Sequence, residues 1–186
     1  MSCKYFYPKY FVFPVKDLDV YPDSIYKADG EIFNASKFFP KLWLYDSLFA
    51  NGDLKMSTLI PKIYKFDLHS LRINQNLTFA DYQKLTSSGS VEWISLLCST
   101  IRNADDSIVT ADKLLEGLDN LHTFSTINSN NFLMLQTETV KKIVQHLNGY
   151  KKMRDFHLCR VNESFDFALF SDFLLKNETV SVYFYY

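Results

Sequence analysis

Thr137-Glu-Thr-Val-Lys-Lys-Ile-Val-Gln-His-Leu-Asn-Gly149 and Val180-Ser-Val-Tyr-Phe-Tyr-Tyr186 are the two stretches that decide the fold. In the first, Val140, Ile143, Val144 and Leu147 recur at i, i+3, i+4 and i+7, which puts them on one face of an α-helix. Thr137 supplies a capping hydroxyl ahead of that stripe, and Asn148-Gly149 supplies the backbone freedom that closes a helix. The second stretch alternates. Val180, Val182, Phe184 and Tyr186 fall on one side and Tyr183 and Tyr185 on the other, the period of a strand. A helix and a strand of this clarity in 186 residues predict a single α+β domain over 1–186, an antiparallel or mixed sheet packed with several helices.

Outward from there, Phe132–Leu135 and Phe156–Val161 read as strands on either side of the helix, an order that permits a parallel crossover. Ser164–Leu175 is apolar almost all round and fits a buried helix or two short strands. In the middle, Thr78-Phe-Ala-Asp81 resembles a capping box. Ser90 can cap a helix over Val91–Arg102, with Val91, Ile94, Cys98 and Ile101 on one face. Thr110 can cap another, with Asp112 near its positive end and Leu114, Leu115, Leu118 and Leu121 as its stripe. Thr86–Ser90, Asn103–Ser107 and Ser125–Asn131 read as loops. Near the start, residues 4–15 are strand-like but broken by Pro8 and Pro14, which points to an edge strand or two short ones. Tyr21-Pro-Asp23 and Ala28-Asp-Gly-Glu31 read as turns. Phe38–Phe49, centred on Trp43, reads as buried. Asn51-Gly52 reads as a hairpin turn or helix end, and the residues after Pro61 to Leu68 as a strand. No internal repeat is evident.

Composition narrows the chemistry. Hydrophobic residues are 47% and charged residues 22%, which excludes a disordered chain. The 17 Phe, 12 Tyr and 2 Trp predict a core built from rings, with any surplus on a contact surface. The 5 glycines are scattered, with no phosphate-cradling cluster. Cys3, Cys98 and Cys159 are not a disulfide framework. The start lacks the basic and apolar regions of a signal peptide, so a cytoplasmic, intracellular protein is expected, with no membrane span. Four N-x-[ST] triplets, at Asn34, Asn76, Asn162 and Asn177, are then chance matches.

No arrangement points to catalysis. His69, His122, His146 and His157 include no i, i+4 pair. His157 and Cys159 share a strand face but lack the second ligand pair of a structural zinc site, and alternate strand positions stand too far apart for direct proton transfer. Asp17 with Asp19 and Asp105 with Asp106 read as solvated acids. No catalytic residue, metal or cofactor is therefore expected.

The one concentration of charge is basic: Lys141, Lys142, Lys151, Lys152, Arg154 and Arg160, with Tyr150 among them as a stacking ring. Against it stands a net charge of -1 from 20 basic and 21 acidic side chains, which removes the usual drive toward nucleic acid. Asp29-Gly-Glu-Ile-Phe-Asn-Ala-Ser-Lys37 resembles the D-G-[YF]-[IV]-N-A-[TS]-K core of KilA-N-type viral and phage DNA-binding domains, with one extra residue between Gly30 and Asn34. The likeness covers nine residues and ends there: Phe38-Phe-Pro-Lys-Leu-Trp43 replaces the glycine- and lysine-containing stretch that should follow, so no family is assigned.

The expectation is a non-enzymatic protein that acts through protein–protein contact. Its Asn-, Lys-, Phe- and Tyr-rich composition suits a viral, phage or bacterial accessory or inhibitor protein. Tyr183, Tyr185 and Tyr150 are its candidate contact residues: as an edge the last strand invites β-augmentation or a homodimer, and as a central strand both of its faces are core. Nucleic-acid binding through the Lys141–Arg160 group is the alternative.

Overall fold

The computed structural model describes residues 12–22, 25–34, 41–52, 56–127, 137–159, 161 and 165–185. In chain order these form β1 (Val12–Tyr21), β2 (Ile25–Ala28), β3 (Glu31–Asn34) and β4 (Lys41–Asn51). Next come a short helix α1 (Met56–Leu59) running into a 3₁₀ turn (Ile60–Lys62), β5 (Ile63–Phe66), β6 (Ser70–Asn74) and β7 (Leu77–Thr78). Then follow α2 (Phe79–Thr86), β8 (Trp93–Leu97), β9 (Ile101–Arg102), α3 (Ala111–Leu115) and β10 (Thr123–Ile127). The last elements are α4 (Thr137–Gly149), β11 (Asp155–Cys159), α5 (Phe167–Lys176) and β12 (Ser181–Tyr185).

Ten strands form one mixed sheet in the order β12-β11-β10-β8-β6-β4-β1-β2-β3, with β5 beside β4. Only the β1–β2 and β2–β3 pairings are antiparallel. The expected α+β class with a mixed sheet and several helices is what the chain adopts. From β4 onward the strands of the main path lie side by side in chain order and parallel. Each strand leaves the sheet, crosses one face through a helical segment, and returns next to itself, which is a solenoid. Ser47, Ser70, Trp93, Thr123, Asp155 and Ser181 are neighbours in register. They recur at intervals of about 23 to 32 residues, the range of stacked repeats. The chain therefore does contain a structural repeat, contrary to the sequence reading.

Two inward rows hold the coils together. One runs Leu18, Leu48, Leu71, Ile94, Phe124, Phe156 and Val182; the other runs Val20, Ala50, Ile73, Leu96, Thr126, Leu158 and Phe184. The helices cover this face with Met56, Leu59, Tyr82, Leu85, Leu114, Val140, Ile143 and Phe170, all buried. The helix expected over Val91–Arg102 is instead β8, a sharp bend and β9. Val91, Ile94 and Ile101 are buried as expected, but Cys98 is exposed, with a left-handed φ of 47°. The loop expected over Ser125–Asn131 gives way to β10 as far as Ile127.

Other local readings hold. The Asp81 N–H donates to Thr78 Oγ1 at 3.1 Å, so Thr78 caps α2. Of the two readings of Ser164–Leu175, helix holds for residues 167–175: α5 is capped by Asp166, whose Oδ1 accepts from the Leu169 N–H at 3.0 Å. Thr110 precedes α3 without a side-chain cap, and α4 ends at Gly149, the bound read from the sequence. The Phe132–Leu135 strand reading falls outside the described residues, as do Cys3, Pro8 and Arg160. Ala28–Glu31 is the tight turn of the β2–β3 hairpin, with left-handed φ at Asp29 and Gly30 (51° and 91°), the requirement of a two-residue turn. The Asp29 carboxylate also accepts from the N–H groups of Lys16 and Asp17, both at 2.9 Å, where β1 shifts register against β4. Gly52 has a φ of 108°, and a Cβ there would stand 2.7 Å from the Pro22 ring, so only glycine fits.

The last strand is an edge: among the described residues β12 pairs with β11 alone. No described helix is long and apolar enough to cross a membrane.

Candidate functional site: the open face of the sheet

Because strand residues alternate, the sheet's second face carries the residues between the core rows. One row of it runs from Phe49 through Arg72, Ser95, Ser125 and His157 to Tyr183. Beside it lie Ser47, Ser70, Trp93, Thr123 and Asp155, and on the far side Asn51, Asn74, Leu97 and Ile127. This face mixes hydroxyls, rings and a few charges. Tyr45, Ile127 and Tyr183 stand on it 37%, 43% and 43% exposed.

At the β4 and β5 end, the Trp43 indole N–H donates to Asp67 Oδ2 at 2.7 Å. The Lys65 ammonium bonds the same oxygen at 2.5 Å and lies 5.1 Å from the centre of the Trp43 ring. Trp43 is thus half-buried on the open face and fixed there, with Tyr45 against it at 5.9 Å. The Lys65 bond, aided by the indole bond, holds the Asp67 carboxyl below the usual aspartate range. A carboxylate with a lowered pKa contributes stability at neutral pH, and that contribution disappears as pH falls through the lowered value. In a Trp93→Phe background, Trp43 fluorescence is expected to titrate with a midpoint below that of a free aspartate. Asp67→Asn should remove this transition; a midpoint at or above the ordinary value would show that the indole and ammonium do not hold the charge.

Toward the middle, the Arg72 guanidinium lies 5.2 Å from the Phe49 ring centre, and Tyr21 meets that ring edge-on at 6.1 Å. Ser47 Oγ donates to Asp17 Oδ1 at 2.6 Å, and Asn74 Nδ2 to Asn51 Oδ1 at 2.8 Å. At the β12 edge, His157 stacks on Tyr183 with ring centres 4.4 Å apart. At the strand entrances two imidazoles stand beside carboxylates: His69 Nδ1 is 3.7 Å from Asp46 Oδ1, and His122 Nδ1 is 3.9 Å from Glu92 Oε2.

The sequence-derived candidates separate. Tyr183 stands on the open face. Tyr185 lies in β12 in register with Cys159. Tyr150 is on the helical side, where its hydroxyl donates to the Leu115 carbonyl in a short bond; burial pushes its pKa up to about 12. Three of the six residues of the basic group have partners within the fold. Lys141 bonds Glu138 at 2.6 Å, Lys142 lies 3.8 Å from the buried Asp112, and Lys152 donates to Asn120 at 2.8 Å. Lys151 and Arg154 are exposed. Arg72, Trp93 and Ile127 were not singled out from the sequence, and Trp43, Tyr45 and Phe49 belong to a stretch that reads as buried, whereas Trp43 and Phe49 are half-buried and Tyr45 exposed. Their signal is alternation with the buried row, which is readable only once the strands are placed.

Among the described residues, no three His, Cys, Asp or Glu side chains converge as metal ligands. What the fold and this face define is a class: an α+β solenoid with one helix-covered face and one face of rings and hydroxyls that, among the described residues, no helix covers. In comparisons with known proteins the chain matches no family model, no curated protein and no solved structure.

Proposed function

We propose that this chain is a non-enzymatic accessory protein that binds a partner protein on the open face of its sheet, between Trp43 at one end and Tyr183 at the other. The observation that carries this reading is the set of exposed side chains Tyr45, Ile127 and Tyr183, with the half-buried Trp93 and Phe49, on the face that no described helix covers. Aromatic residues bring contact area at low rotamer cost and are enriched at protein interfaces. Stacked parallel strands give such side chains a rigid platform. The pairing of Lys141, Lys142 and Lys152 with neighbours of their own supports a protein partner over nucleic acid.

The test places a photo-cross-linking residue at Tyr45, at Tyr183, or at Lys84 on the helical side, in the chain's native host. The expected outcome is one discrete protein adduct from the two face positions, absent from Lys84 and lost when Ile127→Asp is added. Equal labelling from Lys84, or no adduct at all, would defeat the proposal. A nuclease-sensitive adduct would replace it with the nucleic-acid reading, and an adduct with a second copy through Tyr183 would replace it with edge-strand dimerisation.

A further inference from the structure

Arg72 is the one cation in the middle of the open row, and its surroundings prepare it for a ligand. The guanidinium lies 5.2 Å from the centre of the Phe49 ring, a cation–π contact that favours this placement, and the side chain is exposed. Among the described residues it has no ion-pair partner: Asp17 is engaged by Ser47 and Lys16, Asp46 by Lys16 and His69, and Asp67 by Lys65 and Trp43. Its neighbour in register is Ser95, which is 5% exposed and has no hydrogen-bond partner among the described residues. No fully buried side-chain polar atom among the described residues lacks a partner, so the Ser95 hydroxyl keeps some contact with solvent. Ser125 and then His157 continue the row.

We infer that this row receives an acidic segment of the protein partner, with a carboxylate seated on Arg72. The inference rests on the partner-binding reading above and makes it chemically specific. Adjacent strands are about 4.8 Å apart, so Arg72 to His157 spans about 14 Å, the length of four or five extended residues. The guanidinium fork matches a carboxylate bidentately, the Ser95 and Ser125 hydroxyls can donate to the segment's carbonyls, and Trp93 lies alongside as an apolar shelf. Asp17, Asp19 and Asp155 share this face and repel a polyanion, so one carboxylate in a peptide fits where a nucleic-acid backbone does not.

Selection of a random linear peptide library displayed on phage against the whole chain tests this. The enriched peptides are expected to share an Asp or Glu. The best of them, synthesised and titrated by calorimetry, should lose roughly tenfold or more in affinity to Arg72→Gln, as expected for a charge-assisted bidentate pair. Arg102→Gln, at a guanidinium already paired with Asp106, should leave its affinity unchanged. Both variants alter exposed or half-exposed side chains, and circular dichroism confirms that they fold. Peptides without an acid whose binding survives Arg72→Gln but not Ile127→Asp would overturn the carboxylate site and keep the protein-binding face. Absence of any enriched peptide, or binding that neither variant alters, would overturn both.

Discussion

Phe156→Ala is expected to lower the unfolding free energy by about 3–5 kcal/mol, the range for a large ring removed from a core that cannot collapse around the gap. Phe156 is fully buried in β11. Its ring stacks on Phe124 of the preceding strand at 5.5 Å and on Phe170 of α5 at 5.9 Å. Phe170 in turn meets Phe165, Phe173 and Phe184 at 5.3, 5.9 and 5.6 Å. The ring at 156 therefore links three coils, and an alanine there strands both stacked faces. Solenoid stability is close to a sum of repeat and neighbour terms, so the damage should stay near the lost interface. Hydrogen exchange should speed up in β11, α5 and β12 well before β4 and β6. Uniform loss of protection, or a loss below about 1 kcal/mol in urea unfolding, would show that the rings do not couple these coils.

The sequence and structure agree where one element's own period fixes it, and diverge where the repeat does. The Val140–Leu147 stripe and the Thr78 cap are local signals, complete within a few residues, and both elements form. The coils obey a different rhythm. Leu68, Leu71, Ile73 and Val91, Ile94, Leu96 are buried at steps of three and then two, as are Met153, Phe156 and Leu158. The step of three crosses the corner before the strand, and the step of two lies within it. At Val91–Arg102 the corner step, Ile94 and Cys98 together imitate a helical face, so a strand reads as a helix. The repeat escapes notice because few positions carry it and their residue types vary: Leu, Val and Met share one site, Leu, Ile and Phe the next. The return segments also differ in length.

The open face was legible only in part, and for a physical reason. Tyr183 is visible because the terminal strand alternates cleanly. Arg72 and Trp93 come from strands 21 residues apart in sequence that stand side by side only through the ladder pairing Ser70 with Trp93 and Arg72 with Ser95. A charge cluster along the chain, such as Lys141–Arg160, is easy to read, yet three of its six members, Lys141, Lys142 and Lys152, have partners within the fold. A cation isolated in sequence, placed on a ring by register, leaves no such trace.

Two tyrosines on the helical side give the second large effect. The α3 helix is only five residues long, and its final carbonyls lack partners within the helix. The Tyr82 hydroxyl of α2 donates to the Leu114 carbonyl at 2.6 Å, and the Tyr150 hydroxyl, just past α4, donates to that of Leu115. The end of α3 is thus tied from the coil before it and the coil after it. Burial raises the pKa of both hydroxyls, Tyr82 the more, so each remains a neutral donor across the physiological range. Tyr82→Phe leaves a buried carbonyl unsatisfied and is expected to cost about 1–3 kcal/mol. Tyr82→Ala, which also empties a fully buried ring position, should cost about 3–5 kcal/mol. In Tyr82→Phe/Tyr150→Phe the two losses should exceed their sum, because either remaining bond keeps α3 in place for the other to reach it. Urea unfolding of the four proteins in the Phe cycle measures that coupling. Strict additivity would mean that α3 is held by the packing of Leu114, Leu115 and Leu118 alone, and that the hydroxyls only satisfy carbonyls already fixed.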